Sequence, residues 1–383
     1  MKICLVINIF DPCCGGAERW THQYAEYLLQ QGHAVHVVAQ KLKYDQRQVP
    51  IVPHSLGRIG SPLRRAEAAI EKIRTLKADI IHDMGVSWYC DVFQPHIGCW
   101  NALVRQKLLW TPPGLRSIKR LLDPCLPRYR EHRLVAERQA ANENQILVAL
   151  AHKVAAEYQK FHNVPSSRIR VIYNGVDVEN FSPRRRAEYR QAMRQRLGIA
   201  DHLLLVLAVA HNFRRKGVPT LLKAMSILAS RHLPVHALIV GGKRIGWQKY
   251  VSQFRHLPVT FVGAQPDPVP YYAAADVLVH PTFYDNCSLV FLEAAASGLP
   301  SLISREDGAA ELLTDGLEGL LIEDPADADG LAAKMELMLD ASLRERMGAA
   351  AVGLAAKHTL ERNCREIFGI YGQLENSAAG KAA

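Results

Sequence analysis

Residues 3–40 read "ICLVINIFDPCCGGAERWTHQYAEYLLQQGHAVHVVAQ" and decide the fold class. The stretch opens with one apolar run, 3–10, and closes with another, 33–40, both of strand length. Between them, segment 16–32 places side chains on one helical face and ends in a glycine suited to a helix C-terminus. The residues on that face are Ala17, Thr21, Tyr24 and Leu28. A strand, a glycine-rich loop, a helix and a strand predict a βαβ unit and therefore a parallel sheet.

The same rhythm continues through the 383 residues and predicts an α/β protein with two Rossmann-like domains. Further strands are predicted at 78–85, 145–151, 170–172, 203–210, 235–242, 259–264, 275–282 and 299–304. Helices are predicted at 63–77, 217–231, 267–275 and 289–298, with one long helix over 327–358. The rhythm restarts after the turn at Asn174-Gly175, so we assign residues 1–175 to an N-terminal domain and 176–360 to a C-terminal domain. We expect the ligand in a cleft between them, where loops at strand ends meet helix N-termini.

Composition narrows the class of partner. Lys and Arg exceed Asp and Glu by 47 − 37 = 10, which suits an anionic partner or reflects a generally basic proteome. No apolar run approaches the roughly 18 residues of a membrane span, and the first ten residues are typical of a strand rather than a signal peptide. The eight cysteines include no CxxC pair, so we expect reduced cytosolic thiols and no zinc site.

The sharpest chemical signal lies in "YDNCSLVFLEAAASG", residues 284–298. Asp285 and Glu293 stand before and inside one predicted helix, whose first amides belong to Leu289 and Val290. A helix N-terminus is a natural seat for phosphate. Glu293 can accept hydrogen bonds from a ribose diol, and Asp285 can hold sugar hydroxyls. A solvated helix beside an ordinary acidic loop is the alternative.

A basic loop gives the second signal. Arg214, Arg215 and Lys216 directly follow a predicted strand and precede a predicted helix. Cations in that place can neutralise a diphosphate leaving group. The alternative is a solvated basic loop.

Five short motifs occur in a fixed order along the chain. They are "GGAER" after the first strand, "IYNGVD" at the domain junction, "RRKG", "FVG" with "YYAAADVLVHPT", and "DNCSLVFLEAAASGLP". Together they make the chain resemble the retaining glycosyltransferases of family four over about residues 1–375, and the resemblance implies the GT-B fold. The stretch "HNFRRKGV" and the overall layout are most similar to bacterial lipopolysaccharide core glucosyltransferases that act on inner-core heptose.

The resemblance implies a role for each donor-side residue. Arg215 and Lys216 would bind the diphosphate, Glu293 the ribose and Asp285 the transferred sugar. Further donor-binding positions are Gly15 and Gly16 opposite the diphosphate, Gly263 and Ala264 beside the base, and Ser288, Leu289 and Val290 at the helix start. Asp285 stands where the family mostly has Glu, and Ser288 where it usually has Gly; both departures bear on the identity of the donor sugar.

The acceptor side falls in the N-terminal domain. By resemblance His96 lies beside the reacting sugar, where it could take the acceptor's proton or bind the donor sugar, although a lone histidine can equally be structural. Asp83 and Gly85, at another predicted strand end, are further acceptor-side candidates. A C-terminal helix at about 361–377 is expected to pack back on this domain.

The chemistry implied is metal-independent hexosyl transfer without a cofactor. Breaking the anomeric bond gives an oxocarbenium-like sugar and an anionic diphosphate, which cations and helix amides can stabilise. The sequence offers no convincing carboxylate nucleophile. By resemblance, attack on the same face retains the anomeric configuration and the departing phosphate assists deprotonation. The expected catalytic residues are His96, Arg215, Lys216, Asp285 and Glu293.

Segment 100–133 combines eight Arg or Lys with two acidic residues and interleaves Trp100, Trp110 and Tyr129. This mixture suits an anionic membrane surface. It also fits nucleic acid or a helical insertion with a solvated face.

We therefore expect a cytoplasmic enzyme, peripheral on the inner face of the cytoplasmic membrane. It would move a hexose, glucose by resemblance, from a nucleotide-sugar donor such as a UDP-sugar to a lipid-linked glycan such as lipopolysaccharide core. One alternative is a nucleotide-sugar epimerase on the same fold, which needs no acceptor. The other is a basic nucleic-acid-binding protein, whose affinity would fall steeply with salt; nucleic acid is not the partner we expect.

Overall fold

A computed structural model of the chain divides it into two units. It describes residues 1–111, 113–242, 248 and 252–382. The first unit comprises residues 1–173 and the C-terminal residues from 363 onward, and the second comprises residues 174–362. Each unit contains a parallel sheet covered by helices, which confirms the predicted α/β class.

The first unit is built on a parallel sheet. Its strands are β1 (Lys2–Val6), β2 (Ile9–Phe10), β3 (Ala34–Ala39), β4 (Lys41–Leu42), β5 (Val52–Ser55), β6 (Ile80–Asp83), β7 (Val92–Phe93), β8 (Ile146–Ala149) and β9 (Ile169–Val171). Its helices are α1 (Gly16–Gln30), α2 (Pro62–Leu76), α3 (Trp100–Lys107), α4 (Pro113–Leu122), α5 (Pro127–Ala141) and α6 (His152–His162). Within the described residues the sheet order is β5-β3-β1-β6-β7-β8-β9, and β2 pairs separately with β4.

The opening βαβ unit is confirmed, with one correction. The predicted strand 3–10 is two strands, β1 and β2, because exposed Asn8 interrupts the buried run and β2 turns to pair with β4. Helix α1 buries Thr21, Tyr24 and Leu28 as its spacing predicts. Gly32 follows the helix with a φ of 79°, a conformation that suits a helix end.

The second unit repeats the architecture. Its strands are β10 (Leu204–Val209), β11 (Val235–Val240), β12 (Val259–Gly263), β13 (Val277–His280), β14 (Ser301–Ser304) and β15 (Gly319–Ile322). Its helices include α7 (Pro183–Leu197), α8 (Val218–Ser230), α9 (Val269–Ala274), α10 (Leu289–Ala296), α11 (Ala328–Leu337) and α12 (Ala341–Ala355). These strands form a parallel sheet in the order β12-β11-β10-β13-β14-β15.

The core of the second unit lies between its sheet and two helices, α8 and α11. Leu221 and Met225 of α8 pack with Met335 of α11 against the buried strands. Full burial of such a side chain contributes about 1.5–3 kcal/mol, so the loop that leads into α8 stands on a rigid support. The prediction of one helix over 327–358 is wrong, because Asp340 accepts hydrogen bonds from the amides of Ser342 and Leu343 and begins a new helix, α12.

A last helix, α13 (Leu360–Ala382), supplies buried contacts within the first unit. Asn363 accepts a hydrogen bond from Trp20 Nε1 at 2.7 Å, and Tyr371 Oη lies 2.7 Å from His82 Nδ1. Of the helices in the described part of the chain, none combines the length and the apolar composition that crossing a membrane requires.

Candidate active site

Two loops of the second unit lie at the point where its strand order reverses. Strands β10 and β13 are neighbours, with β11 and β12 on one side and β14 and β15 on the other. In such sheets ligands bind at the carboxyl ends of the strands at this point. The loop 210–217 follows β10 and the loop 281–288 follows β13. The amide of Phe283 donates to the carbonyl of Arg215 at 2.8 Å, so the two motifs are adjacent.

The pattern of exposure marks the surface of this site. Between residues 271 and 300 all residues are buried except Asp285, Leu289, Val290 and Gly298, which are half-buried. Three of these four are predicted donor-site residues. Because the rest of this segment is core, the partial exposure of Asp285, Leu289 and Val290 locates the part of it that a ligand can reach.

Lys216 and Asp285 form an ion pair. Burial alone would raise the pKa of Asp285, but Lys216 and His280 outweigh it and hold the pKa of this carboxyl well below its usual range. Arg215 is half-buried beside them, and its Nε has no hydrogen-bond partner in the described part of the chain. Arg214 is exposed. Two of the three loop cations therefore belong to the site.

Gly217 fixes the cationic loop against the loop after β13. It has a φ of +69°, and a Cβ there would lie 1.9 Å from the carbonyl oxygen of Pro281. Only glycine combines this conformation with this approach. The position of Arg215 and Lys216 thus depends on backbone contact.

Helix α10 begins at Leu289, as the sequence predicts. Leu289 and Val290 occupy the first two helical positions, where an α-helix has no acceptor of its own for the N–H groups. Ser288 precedes them; its amide donates to Asp307 Oδ1 at 3.0 Å, and its buried Oγ has no hydrogen bond to the described residues. Asn174, the asparagine of "IYNGVD", donates to the carbonyl of Cys287 at 2.6 Å and so supports this loop.

Glu293 lies one turn into α10 and is only 3% exposed. Its Oε2 accepts a hydrogen bond from Tyr272 Oη at 2.6 Å. The predicted base-side residues, Gly263 and Ala264, lie at the carboxyl end of β12, on the same edge of the sheet but two strands from β10. Of these two residues, Ala264 is exposed and Gly263 half-buried.

Sequence reasoning missed Tyr272, His280 and Asp307, which are buried in strand ends or core. Tyr272 and His280 lie within the motif "YYAAADVLVHPT", but nothing in the pattern around any of the three residues assigns it a role in the site. His280, Asp285 and Asp307 offer ligand atoms within 4.8 Å of one another, so this cluster is the group of described residues that could hold a metal ion. The ion pair of Asp285 with Lys216 competes with that use.

In the first unit, Gly15 and Gly16 lie at the start of α1. Gly15 has a φ of −179°, and a Cβ there would meet only the carboxylate of Glu18. Any residue adopts such an extended backbone, so chain geometry does not explain a glycine at position 15. Trp20, one turn further, contacts the ring of His96 with centroids 4.9 Å apart, which brings α1 and the predicted acceptor-side histidine together.

Asp83 and Gly85 form a tight loop at the end of β6. The buried Asp83 carboxylate accepts hydrogen bonds from the amides of Gly85, Val86 and Ser87 and from the Ser87 hydroxyl, at 2.6–2.8 Å. Burial raises the pKa of Asp83 to about 6, against these hydrogen bonds. The side chain of Asp83 is fully buried, so this residue shapes the loop rather than facing an acceptor, while Gly85, with a φ of +104°, can face one.

Segment 100–133 forms α3, α4 and the start of α5. Helix α4 has an exposed apolar stripe of Leu115, Ile118 and Leu122 beside a basic stripe of Arg116, Lys119 and Arg120. The sequence analysis expected aromatic side chains of this segment to contribute to a membrane-binding surface, but the structure packs Trp100 and Tyr129 against neighbouring rings. Trp100 stacks on His132 with centroids 4.3 Å apart and lies 5.8 Å from the ring of Tyr129, so leucine and isoleucine supply the exposed apolar surface.

Two family models match the chain. Residues 14–180 match the model described as glycosyltransferase family 4, and residues 201–341 match the model described as glycosyl transferases group 1. The chain is 29% identical over 291 residues to the D-inositol 3-phosphate glycosyltransferase of Corynebacterium urealyticum, covering 72% of this chain and 67% of that enzyme. The same enzyme of Corynebacterium jeikeium is 29% identical over 263 residues, covering 64% of this chain and 62% of the relative. The chain thus spans about two thirds or less of these curated relatives.

Two solved structures share the fold. WaaG, a glycosyltransferase involved in lipopolysaccharide biosynthesis, superposes with a TM-score of 0.83 at 22% identity, covering 96% of this chain and 99% of that one. HepE of Anabaena in complex with UDP and glucose gives a TM-score of 0.75 at 19% identity, covering 97% and 99%.

Proposed function

Because the chain belongs to the glycosyltransferases that join a family 4 domain to a group 1 domain in a GT-B fold, we propose that it transfers glucose from UDP-glucose to a lipid-linked glycan such as lipopolysaccharide core. The observation that carries the proposal is the cluster at the strand reversal of the second unit. Lys216, Arg215 and the half-exposed start of α10 lie there together.

The cluster is suited to an anionic leaving group. The N–H groups of Leu289 and Val290 and the cations Arg215 and Lys216 stabilise the charge that develops on the diphosphate as the anomeric bond breaks. Asp285 pairs with Lys216, so the diphosphate would share that ammonium group with the carboxylate. These groups supply positive charge from the chain itself, in keeping with transfer that needs no metal.

The step we propose retains the configuration of the anomeric carbon. The bond from that carbon to the diphosphate breaks with its electron pair passing to the phosphate oxygen. The acceptor hydroxyl oxygen bonds to the same face, and its proton passes to the departing diphosphate. Burial lowers the pKa of His96 to about 4, so the neutral imidazole can hydrogen-bond to the sugar or to the acceptor hydroxyl near pH 7.

Helix α4 supports a lipid-linked acceptor. Leu121 is 75% exposed and Ile118 is 53% exposed, next to basic residues of the same helix. Such an amphipathic helix lies flat in a membrane interface, and anionic lipids attract its basic face. We therefore place the enzyme at the inner face of the cytoplasmic membrane, where a UDP-sugar and a growing lipid-linked glycan meet.

The test is to incubate the purified full chain with radiolabelled UDP-glucose and vesicles that carry heptosylated lipid A core. Transfer of the label into the lipid fraction supports the proposal if NMR of the product shows that the anomeric configuration is retained. The Lys216→Ala variant, which should have much lower activity, is the control. Conversion of UDP-glucose without acceptor would instead identify an epimerase. Transfer to a soluble inositol phosphate alone would overturn the lipid-linked acceptor.

A further inference from the structure

Asp307 and His280 lie inside the second unit beside the donor site, and the transfer proposed above gives neither a role. Asp307 follows β14 and His280 ends β13. Both are 1% exposed. A buried carboxylate is costly unless the surrounding groups satisfy it, so its contacts indicate its purpose.

One oxygen of Asp307 organises the loop before α10. Oδ1 accepts the amide of Ser288 at 3.0 Å and the amide of Ala309 at 2.9 Å. Ser288 is the residue immediately before the two amides that face the diphosphate. The direction of those amides therefore depends on where Asp307 holds the loop.

The other oxygen of Asp307 faces the Lys216 side of the site. Oδ2 lies 3.4 Å from His280 Nε2, and the same nitrogen lies 3.5 Å from Asp285 Oδ2. The imidazole thus stands between the buried carboxylate of Asp307 and the half-buried carboxylate of Asp285. Burial, with the charge of Asp285, raises the pKa of Asp307, as expected for the carboxylate without a lysine partner.

The main chain makes this arrangement rigid. The amide of Asp285 donates to the carbonyl of Glu306 at 3.1 Å, and the amide of Gly308 donates to the carbonyl of Asp285 at 3.1 Å. The segments around Asp285 and Asp307 thus form a short parallel bridge. A displacement of Asp307 would be transmitted to the residue that holds Lys216.

We propose that Asp307 is a positioning residue for the donor diphosphate, which orients the first amides of α10 through Ser288 and braces Asp285, the partner of Lys216, through His280. The inference rests on the proposed function of that site. Preorganised donors stabilise developing charge only where their direction is fixed, so loss of the brace should be felt in both binding and turnover.

The two oxygens of Asp307 allow two variants to separate these effects. Asp307→Asn keeps an oxygen for the two amides but changes the group that faces His280, whereas Asp307→Ala removes both contacts. We expect Asp307→Ala to weaken UDP binding by about tenfold or more in calorimetry, and Asp307→Asn to restore it to within about threefold. Asp307→Asn should still lower kcat by about tenfold with little change in the donor KM. His280→Gln should lower kcat in the same way.

Asp340 provides the matched control, because its carboxylate also accepts two backbone amides but lies at the start of α12. Asp340→Ala should lower Tm and leave UDP affinity and kcat unchanged. Wild-type UDP affinity in folded Asp307→Ala, or wild-type kcat in Asp307→Asn, overturns the inference. If Asp307→Ala does not fold, Asp307→Asn and His280→Gln decide it. UDP calorimetry needs no acceptor, so a missing transfer activity would count against the proposed function and not against this inference.

Discussion

The phenol oxygen of Tyr272 donates a 2.6 Å hydrogen bond to Oε2 of Glu293, and both side chains are buried. Tyr272 belongs to α9 and Glu293 to α10, so the bond links α10, the helix proposed to bind the diphosphate, to its neighbour. A buried carboxylate held in one orientation is suited to recognising a pair of hydroxyl groups.

Replacing Glu293 by Ala should lower glucosyl transfer by tenfold or more, on the order of 1.4 kcal/mol or greater. The physical reason is loss of the acceptor for the ribose hydroxyls. The wild type should bind UDP more tightly than 2′,3′-dideoxy-UDP, and Glu293→Ala should bind the two alike. Calorimetry with both nucleotides checks this. Tyr272→Phe, which keeps the carboxylate, should retain part of the preference. Unchanged discrimination in Glu293→Ala would remove the ribose assignment.

Lys216→Ala should also reduce turnover by at least tenfold, because the ammonium group faces the charge that develops on the diphosphate. Lys223 is the control: it is the sixth residue of α8 and is exposed, so Lys223→Ala should leave turnover unchanged. Steady-state kinetics of both variants at saturating acceptor give the comparison. Equal rates in Lys216→Ala and the wild type would exclude the lysine from the site.

The sequence predicts the site residues that lie next to each other along the chain. Asp285, Leu289, Val290 and Glu293 share one loop and helix, so spacing alone relates them. Lys216 comes from a separate motif, and the resemblance to a family is needed to place it with Asp285. His280 and Asp307 come close to Asp285 only because β13 pairs with β14 and the chain forms a bridge beyond that pair. No local pattern in the sequence contains this pairing.

How well the sequence predicts an element depends on how much of that element is buried and on how it is capped. Strands such as β10 and β13 are buried on both faces, so they are continuous apolar runs and easy to find. Strand β5 reads "VPHS", is largely exposed and pairs with β3 at a sheet edge, so composition gives no sign of it. The break before α12 is a capping event at Asp340, which the apolar pattern of the surrounding residues hides.

Vesicle binding should depend on the apolar stripe of α4 and on three exposed arginines at the start of α5. The first variant replaces Leu115, Ile118 and Leu122 by Ser, and the second replaces Arg128, Arg130 and Arg133 by Ser. Each variant should reduce co-sedimentation with phosphatidylglycerol vesicles. The first removes apolar area that would be buried in the membrane interface, and the second removes attraction to anionic lipid.

Salt separates the two contributions, because a Debye length of about 8 Å at 0.15 M falls to about 3 Å at 1 M and removes the benefit of the arginines. Binding of the arginine variant should therefore be less sensitive to salt than binding of the wild type. Leu337, 55% exposed on the second unit, serves as the control, and Leu337→Ser should bind as the wild type does. Undiminished co-sedimentation of both multiple variants would rule out this surface as the membrane contact.

Acid should destabilise the first unit through His82, which is buried, and His96, which is half-buried. Burial lowers the pKa of His82 to about 3 and that of His96 to about 4, whereas an unfolded histidine titrates near 6.5. Their contribution to stability is therefore fully present above about pH 6.5 and is lost as the pH falls toward the folded values, by up to about 1.4 kcal/mol per pH unit for each histidine. Urea unfolding followed by tryptophan fluorescence at pH 5, 6 and 7 measures the slope, since four of the five tryptophans belong to the first unit. His96→Gln should reduce it, and substitution of the exposed His152 by Gln should not. A slope that His96→Gln leaves unchanged would contradict the assignment.

Replacing Gly217 or Gly15 by alanine should have different effects: the first should lower stability, and the second should lower turnover alone. Gly217 has a φ of +69° and its Cβ would lie 1.9 Å from the Pro281 carbonyl oxygen, so Gly217→Ala combines a strained backbone with a clash against main chain. The strain alone costs about 1–2 kcal/mol, which Gly32→Ala measures separately because nothing lies within 4 Å of its Cβ. Gly217→Ala should lower the free energy of unfolding by more than Gly32→Ala does.

Gly15→Ala should leave stability unchanged, since its backbone is extended and only the carboxylate of Glu18 must move. If position 15 faces the donor diphosphate, as the resemblance in sequence implies, the added methyl group should still lower turnover by about tenfold or more. Wild-type turnover in a stable Gly15→Ala protein would show that the glycine serves only the turn before α1.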